Sequence, residues 1–288
     1  MVTGERAFTA EAQRSSASQI VKYYRESPGY LDGPLDGTCH FGFTSTGKPF
    51  DLSTALASME TLLGQMIDLP PGSKVLDAGC GFGRVAATLA SEPFSLKVFG
   101  IDLIQERLRE ASRYTKAHGA SENVKLINGN YCVLPLRDSS ISGVFTMETL
   151  VHADPLEAAL GEFSRVLKPG GRLVLFEYSA PDRTSLDPLR RWVTDTMVQR
   201  TGMVSIERFT HNAFPDILNE AGFKNVDVVD ISRNVWPTWR WMFFHAIRNL
   251  PKLLRNKGVN HTNLAASLLI WPYKNQIRYN VITANKPG

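Results

Sequence analysis

The stretch Val75-Leu76-Asp77-Ala78-Gly79-Cys80-Gly81-Phe82-Gly83 decides the fold. It reads as a short strand, 74–78, running into a turn with three alternate glycines. Glycines let the chain swing sharply from strand to helix and bring backbone N–H groups close to a ligand. A dinucleotide fingerprint would need glycine at position 84, where Arg84 stands, and no Walker lysine follows. The spacing is D-x-G-x-G-x-G instead. Asp102 follows the next predicted strand, where a carboxylate can accept hydrogen bonds from both hydroxyls of a ribose. Asp77 adds negative charge beside the turn, which favours a cationic or neutral ligand over a polyphosphate.

Outward from that turn the chain alternates. Strands are expected at 74–78, 96–101, 124–128, 143–147, 172–178, 226–231 and 278–284. Helices are expected at 85–91, 105–118, 155–167, near 187–200 and at 212–221. Gly119 ends one helix, and Lys168-Pro169-Gly170-Gly171 ends another. Two helices precede the series, 15–31 and 53–68, the second with Leu56, Met59, Leu63, Met66 and Ile67 on one face. The pattern predicts an α/β fold, a doubly wound and mostly parallel sheet. The expected divisions are an N-terminal helical cap over 1–68, a cofactor-binding domain over 69–232, a helical insertion over 233–276, and the final strand over 277–288.

The 288 residues suffice for a sizeable core, and 43% are hydrophobic. Cys39, Cys80 and Cys132 stand far apart, with no CxxC pair, so neither a disulfide framework nor a metal site is expected. The N-terminus lacks the apolar core of a secretory signal, and no apolar run reaches the ~18 residues of a membrane span, so a cytoplasmic protein is expected. The net charge of +4 is unevenly spread: from Ile231 onward there are nine Lys or Arg and no acid, which leaves −5 for the rest. Four of the five tryptophans lie in that basic tail. On a helical wheel Arg240, His245, Arg248, Asn249, Lys252 and Arg255 share one half, while Trp239, Met242, Phe243, Ala246, Ile247, Leu250, Leu253 and Leu254 share the other. Three uses fit: packing on the core, a lid over an apolar substrate, or a peripheral contact with an anionic membrane. A kink is expected at Pro251. No base-reading motif accompanies the charge, so nucleic acid is not an expected partner. A homo-oligomer is compatible with the sequence.

Asp77-Ala78-Gly79-Cys80-Gly81-Phe82-Gly83, the strand-end Asp102, Gly129-Asn130-Tyr131 and Leu167-Lys168-Pro169-Gly170-Gly171 together resemble the S-adenosylmethionine-dependent methyltransferases of Rossmann-like fold. The resemblance spans roughly residues 20–231 and the last strand. It implies a reversed final strand and S-adenosyl-L-methionine as cofactor. It also implies that Asp77, Gly79, Cys80, Gly81 and Gly83 face the cofactor's methionine part. Asp102 would hold the ribose, Leu103 would pack on adenine, Asn130 and Tyr131 would meet the adenine edge, and Met147 would line the same site. The family usually carries Asp at position 130, so Asn130 offers its carbonyl oxygen; its other reading is a plain turn residue.

Two further segments are similar to the sterol and tocopherol methyltransferase branch: Tyr23-Tyr24 followed by Cys39-His40-Phe41-Gly42-Phe43, and Met147-Glu148-Thr149-Leu150-Val151-His152-Ala153-Asp154. The tryptophan of the sterol enzymes' Gly-Trp-Gly segment is missing here. Glu148 and His152 lie just past the fourth strand, and one helical turn would put them on a shared face. A carboxylate beside a histidine can poise a base or offset a developing cation. Glu148, His152, His40 and Tyr24 are therefore the catalytic candidates, and each also has a structural reading. Tyr23, Glu177, Trp239, Phe243 and Phe244 are the substrate-binding candidates. The expected activity is methyl transfer to a hydrophobic small molecule, C-methylation of an alkene-bearing isoprenoid, terpenoid or sterol-like acceptor. Transfer to nitrogen or oxygen is the alternative, and a non-catalytic binding module is a third. Were the acceptor a diphosphate, the basic tail would offer it partners.

Overall fold

The computed structural model describes residues 18–25, 38–255, 268 and 271–288. A helix over residues 18–25 (α1) and a helix Leu52–Ile67 (α2) precede the sheet. Then follow β1 (Lys74–Ala78), α3 (Arg84–Ala90), β2 (Lys97–Asp102), α4 (Gln105–Ala117), β3 (Val124–Asn128), β4 (Ile141–Met147), α5 (Leu156–Val166), β5 (Leu167–Ser179), α6 (Pro188–Thr201), α7 (Phe214–Glu220), β6 (Lys224–Asp230), α8 (Ser232–Arg255) and β7 (Arg278–Asn285). The seven strands lie in the order β3-β2-β1-β4-β5-β7-β6. Those from β1 to β5 run parallel, while β7 is antiparallel to both β5 and β6. The fold is the Rossmann-like one with a reversed last strand.

Local chemistry explains several boundaries. Asp51 caps α2 by accepting from the Thr54 N–H at 2.8 Å. Asp187 caps α6 in the same way, with Pro188 in the first turn, and Gly202 closes it in the left-handed conformation. Consecutive residues of β5 feed opposite cores, as a two-residue period requires. Leu173 and Leu175 join Phe163, Phe214 and Leu218 on one face, while Val174 and Phe176 join Met59, Leu63 and Phe145 on the other. Strand order reverses between β1 and β4, so a crevice opens at their carboxyl ends, where Asp77 and Met147 stand.

Two expectations need correction. The turn expected at 168–171 lies inside β5: Ile141 pairs with Leu167, and the Gly170 N–H reaches the Lys286 carbonyl at 3.0 Å. The ladder to the chain's end thus absorbs a Pro-Gly-Gly signal. The segment after β4 is a 3-10 turn, Leu150–His152, entered through Glu148 at φ 59°, and not a turn of α-helix. α8 holds both Pro237 and Pro251 inside its span. Of the expected helix over 15–31, only 18–25 lies within the described residues. All three cysteines are free. No helix of the described residues is long and apolar enough to cross a membrane.

Candidate active site

Two cavities meet at the carboxyl edge of the sheet. The smaller, about 1070 Å³ counted out to its mouth, lies over the glycine turn. Gly79, at φ 98°, cannot be another residue: a Cβ there would stand 2.6 Å from Thr149 Cγ2. Asp77, Cys80, Gly81, Asp102 and Leu103 line this cavity, with Asn130, Tyr131 and Met147 opposite. Gly83 does not line it; it caps α3, and a Cβ would come within 2.9 Å of Ala111 Cβ. Asp102 Oδ2 accepts from the Gly81 N–H at 2.9 Å and Oδ1 from the Ile104 N–H at 2.8 Å, so each oxygen keeps a lone pair for a ligand. Asn130 Oδ1 accepts from the Cys132 N–H at 2.8 Å, so the turn reading of Asn130 holds and its carbonyl has one lone pair left. Tyr131 donates its hydroxyl to the Thr149 carbonyl at 2.8 Å.

Asp77 is the electrostatic centre of this cavity. Burial, reinforced by Asp102, pushes its carboxyl well above the ordinary range. Its Oδ2 has no hydrogen-bond partner among the described residues. A buried acceptor with raised proton affinity gains most from a cationic ligand, which restores its charge and fills its coordination. The ammonium and sulfonium of S-adenosylmethionine fit that requirement.

The larger cavity, about 2100 Å³ counted in the same way, adjoins the first. Tyr24, Cys39, His40, Glu148 and His152 line both. All four catalytic candidates therefore stand at the junction, brought there by α1, the segment before α2, and the turn after β4. Glu148 does not pair with His152. Its Oε1 accepts from the Phe41 N–H at 2.7 Å and the Tyr279 hydroxyl at 2.8 Å, and its Oε2 from the Tyr178 hydroxyl. Burial raises its pKa, against the pull of those donors. The rings of Phe41, Tyr178 and Tyr279 meet edge to face around it, with Trp239 5.5 Å from Phe41.

His152 has different partners. Its Nδ1 lies 3.0 Å from the Gly202 carbonyl, which can only accept, so Nδ1 carries the proton. Nε2 then accepts from the Tyr24 hydroxyl at 2.9 Å. Burial lowers the His152 pKa to about 4, so the imidazole is neutral at physiological pH. His40 is drawn toward α2: its Nδ1 donates to the Phe41 carbonyl at 2.9 Å and its Nε2 lies 3.4 Å from Glu60 Oε1. Burial would raise Glu60, but its contacts with His40, Thr88 and Arg84 outweigh this and hold it at about 2.

The substrate-binding candidates divide. Tyr23 and Trp239 line the larger cavity, together with Met242 from α8 and Val193, Met197 and Val198 from α6. Phe243 stands behind that wall, its ring stacked at 5.3 Å on Trp271, which does line the cavity. Phe244 is 61% exposed, about 200° around the helix from Met242. Glu177 lines neither cavity. It is buried beneath the turn, its Oε1 accepting from the N–H groups of Thr149 at 3.0 Å and Leu150 at 2.6 Å. It holds the turn that carries Glu148 and His152. Tyr178, Tyr279 and the α6 wall escaped the sequence reading because residues far apart in the chain assemble them. Arg107 in the smaller cavity escaped as well, although its helix follows Asp102 directly.

Comparison with known proteins agrees with this geometry. Residues 76–175 match the methyltransferase domain family model. An S-adenosyl-L-methionine-dependent Diels-Alderase of Talaromyces variabilis is 32% identical, over 97% of this chain and 98% of its own length. A sterol 24-C-methyltransferase of Gibberella zeae is 28% identical, over 82% of this chain but 61% of its own length. Among solved structures, the 4+2 cyclase SpnF superposes with a TM-score of 0.78 at 22% identity, covering 93% of this chain and 95% of that one. A geranyl diphosphate methyltransferase bound to its diphosphate substrate and sinefungin reaches 0.73 at 18% identity, covering 94% and 99%. The cofactor is S-adenosyl-L-methionine, and the chain belongs to the S-adenosyl-L-methionine-dependent methyltransferase family.

Proposed function

We propose that this enzyme transfers a methyl group to a carbon of an extended, alkene-bearing apolar acceptor, an isoprenoid or related polyene, lying in the larger cavity. One observation carries the reading. Glu148 is a half-buried carboxylate at the junction of the two cavities, solvated by two hydroxyls and one N–H and ringed by aromatic faces. Such a site stabilises positive charge that appears on a neutral substrate. The cofactor supplies an electrophilic methyl group on a sulfonium. The π electrons of the acceptor form the new C–C bond while the S–CH₃ pair stays on sulfur, and the cation left on the neighbouring carbon faces Glu148 and the rings. Loss of a proton from the adjacent carbon then restores an alkene. The neutral His152 Nε2 receives that proton once the Tyr24 hydroxyl turns away. The inner face of α8, through Trp239 and Met242, and the α6 wall exclude water from the cation. The outer face of α8, where Phe244, Ile247 and Leu250 stand exposed beside Arg240 and Arg248, meets the anionic lipid surface from which the acceptor enters.

A second reading has its own support. The Diels-Alderases of Talaromyces variabilis and of a Neonectria species match this chain over 98% and 91% of their own lengths, which the sterol relative does not. In that reading the same cavity folds a polyene for cyclisation, and the cofactor is bound without being consumed. Incubation with a panel of polyenes, isoprenoids, sterols and amines, using methyl-labelled cofactor and mass spectrometry, separates the two. Label in the product at a new carbon centre supports methyl transfer. Product isomeric with its substrate, formed without release of S-adenosylhomocysteine, supports cyclisation and overturns the first reading. Label on nitrogen or oxygen overturns both.

A further inference from the structure

Arg107, on α4, is 7% exposed and lines the smaller cavity, where it faces Tyr24, Cys39 and Asp102. Its Nη2 has no hydrogen-bond partner among the described residues. A guanidinium buried with an unfilled donor is costly unless a ligand fills it. The space beside it is kept free by Gly81, whose φ of 51° suits glycine and whose missing Cβ would stand 4.0 Å from Arg107 Nη1. The flat face of the same guanidinium lies 4.0 Å from the centroid of the Tyr24 ring and 5.1 Å from that of Phe82. Tyr24 in turn donates to His152. One side chain thus borders both the carboxylate at the end of β2 and the hydroxyl–imidazole pair at the cavity junction.

We propose that Arg107 is a cofactor-binding residue: its Nη2 donates to a ribose oxygen of the adenosyl group, opposite the acceptor Asp102, while its guanidinium face seats the Tyr24 ring. A diol offers both donors and acceptors, and Asp102 alone can read only its hydrogens. A donor on the other side reads its oxygens. Because the same guanidinium carries Tyr24, cofactor occupancy also steadies α1 and the Tyr24–His152 pair. The inference rests on Asp102 as the ribose acceptor, and adenosine as a probe keeps failures of the two assignments apart.

The test is a binding titration of the unaltered chain and of Arg107→Met, Arg107→Lys and Asp102→Ala with S-adenosylmethionine, S-adenosylhomocysteine and adenosine. Thermal melts identify any variant that has lost its fold, and Arg107→Lys stands in should Arg107→Met do so. The expected result is a loss of about 10- to 100-fold for Arg107→Met against all three ligands, the size of a charge-assisted hydrogen bond, with a smaller loss for Arg107→Lys. Unchanged affinity in a folded Arg107→Met overturns the proposal. So does a loss confined to the two ligands bearing a methionyl carboxylate, which would place that group, and not the ribose, against Arg107. If Asp102→Ala also leaves adenosine binding intact, the ribose assignment itself fails. Tyr24→Phe keeps the ring and should keep cofactor affinity, whereas Tyr24→Ala should weaken it several-fold; equal behaviour of the two overturns the stacking half.

Discussion

Glu148 takes three hydrogen bonds from neutral groups, and no cationic side chain donates to it among the described residues. Its charge is therefore available to a substrate cation. Glu148→Gln should leave the cofactor Kd nearly unchanged and lower kcat on the order of 100-fold, as loss of one preorganised electrostatic contact does. Equal losses in both would make Glu148 a cofactor ligand. Glu177 makes a prediction of another kind. Burial holds its carboxyl up at about 8, against 4.5 for an ordinary glutamate, so the folded chain favours the protonated acid. That contribution to stability is whole below pH 4.5 and is lost as pH rises through 8. Glu177→Gln keeps a carbonyl for the Thr149 and Leu150 N–H groups and cannot ionise. Its melting temperature should fall less than that of the unaltered chain between pH 5 and 9; parallel curves would refute the buried-acid reading. Sequence showed Glu148 and Glu177 as acids at strand ends but could not assign their tasks. Glu148 meets Phe41 and Tyr279 across more than a hundred residues of chain and Tyr178 across thirty, whereas Glu177 turns its carboxyl beneath its neighbour strand. The placement of Asp77, Gly79 and Asp102 around the smaller cavity was legible because it rests on the turn after β1 and the end of β2.

Among elements, α8 shows where a helical wheel stops. The wheel separates cations from apolar side chains, and the structure draws the boundary elsewhere. Trp239 and Ala246 are buried, while Ile247 and Leu250, from the same apolar half, stand 46% and 38% exposed. A wheel gives the angle between side chains but not which arc meets the protein, and here the sheet and the 3-10 turn Trp271–Gln276 fix that arc. The strand and helix series was legible because apolar alternation and glycine stops are local signals. The extension of β5 through Pro169 was not, since it depends on a ladder to the chain's end. The division of α8 predicts different kinetics for its two faces. Met242→Ala should raise the acceptor KM about 10-fold, from lost apolar contact of ~1.5 kcal/mol, with the cofactor Kd unmoved. Phe244→Ser should leave KM for a dissolved acceptor as it was. A larger KM effect at Phe244 than at Met242 would place the acceptor on the outer face and refute the lid.

At the scale of the whole molecule the charge is polarised, nine cations without an acid after residue 230 and a net −5 before it. α8 brings that polarity to one surface: Arg233, Arg240 and Arg248 share the exposed arc with Phe244, Ile247 and Leu250. Cations flanking exposed apolar side chains on a helix are the composition of an interfacial anchor. Each cation near an anionic bilayer contributes about 1 kcal/mol, and the attraction decays over a Debye length of ~8 Å at physiological salt. Binding should thus appear with vesicles containing phosphatidylserine, be weak with neutral phosphatidylcholine, and fade as salt rises. Arg240→Glu with Arg248→Glu should abolish vesicle binding while turnover of a dissolved acceptor persists, because neither side chain lines either of the two cavities at the sheet edge. With an acceptor presented in vesicles, the same pair of substitutions should raise the apparent KM, since delivery and not chemistry has been removed. Binding that ignores lipid charge, or a double variant that still sediments with anionic vesicles, would show that the basic face serves another contact. A concentration-dependent dimer that Phe244→Ser disperses would identify that contact as a second copy of the chain.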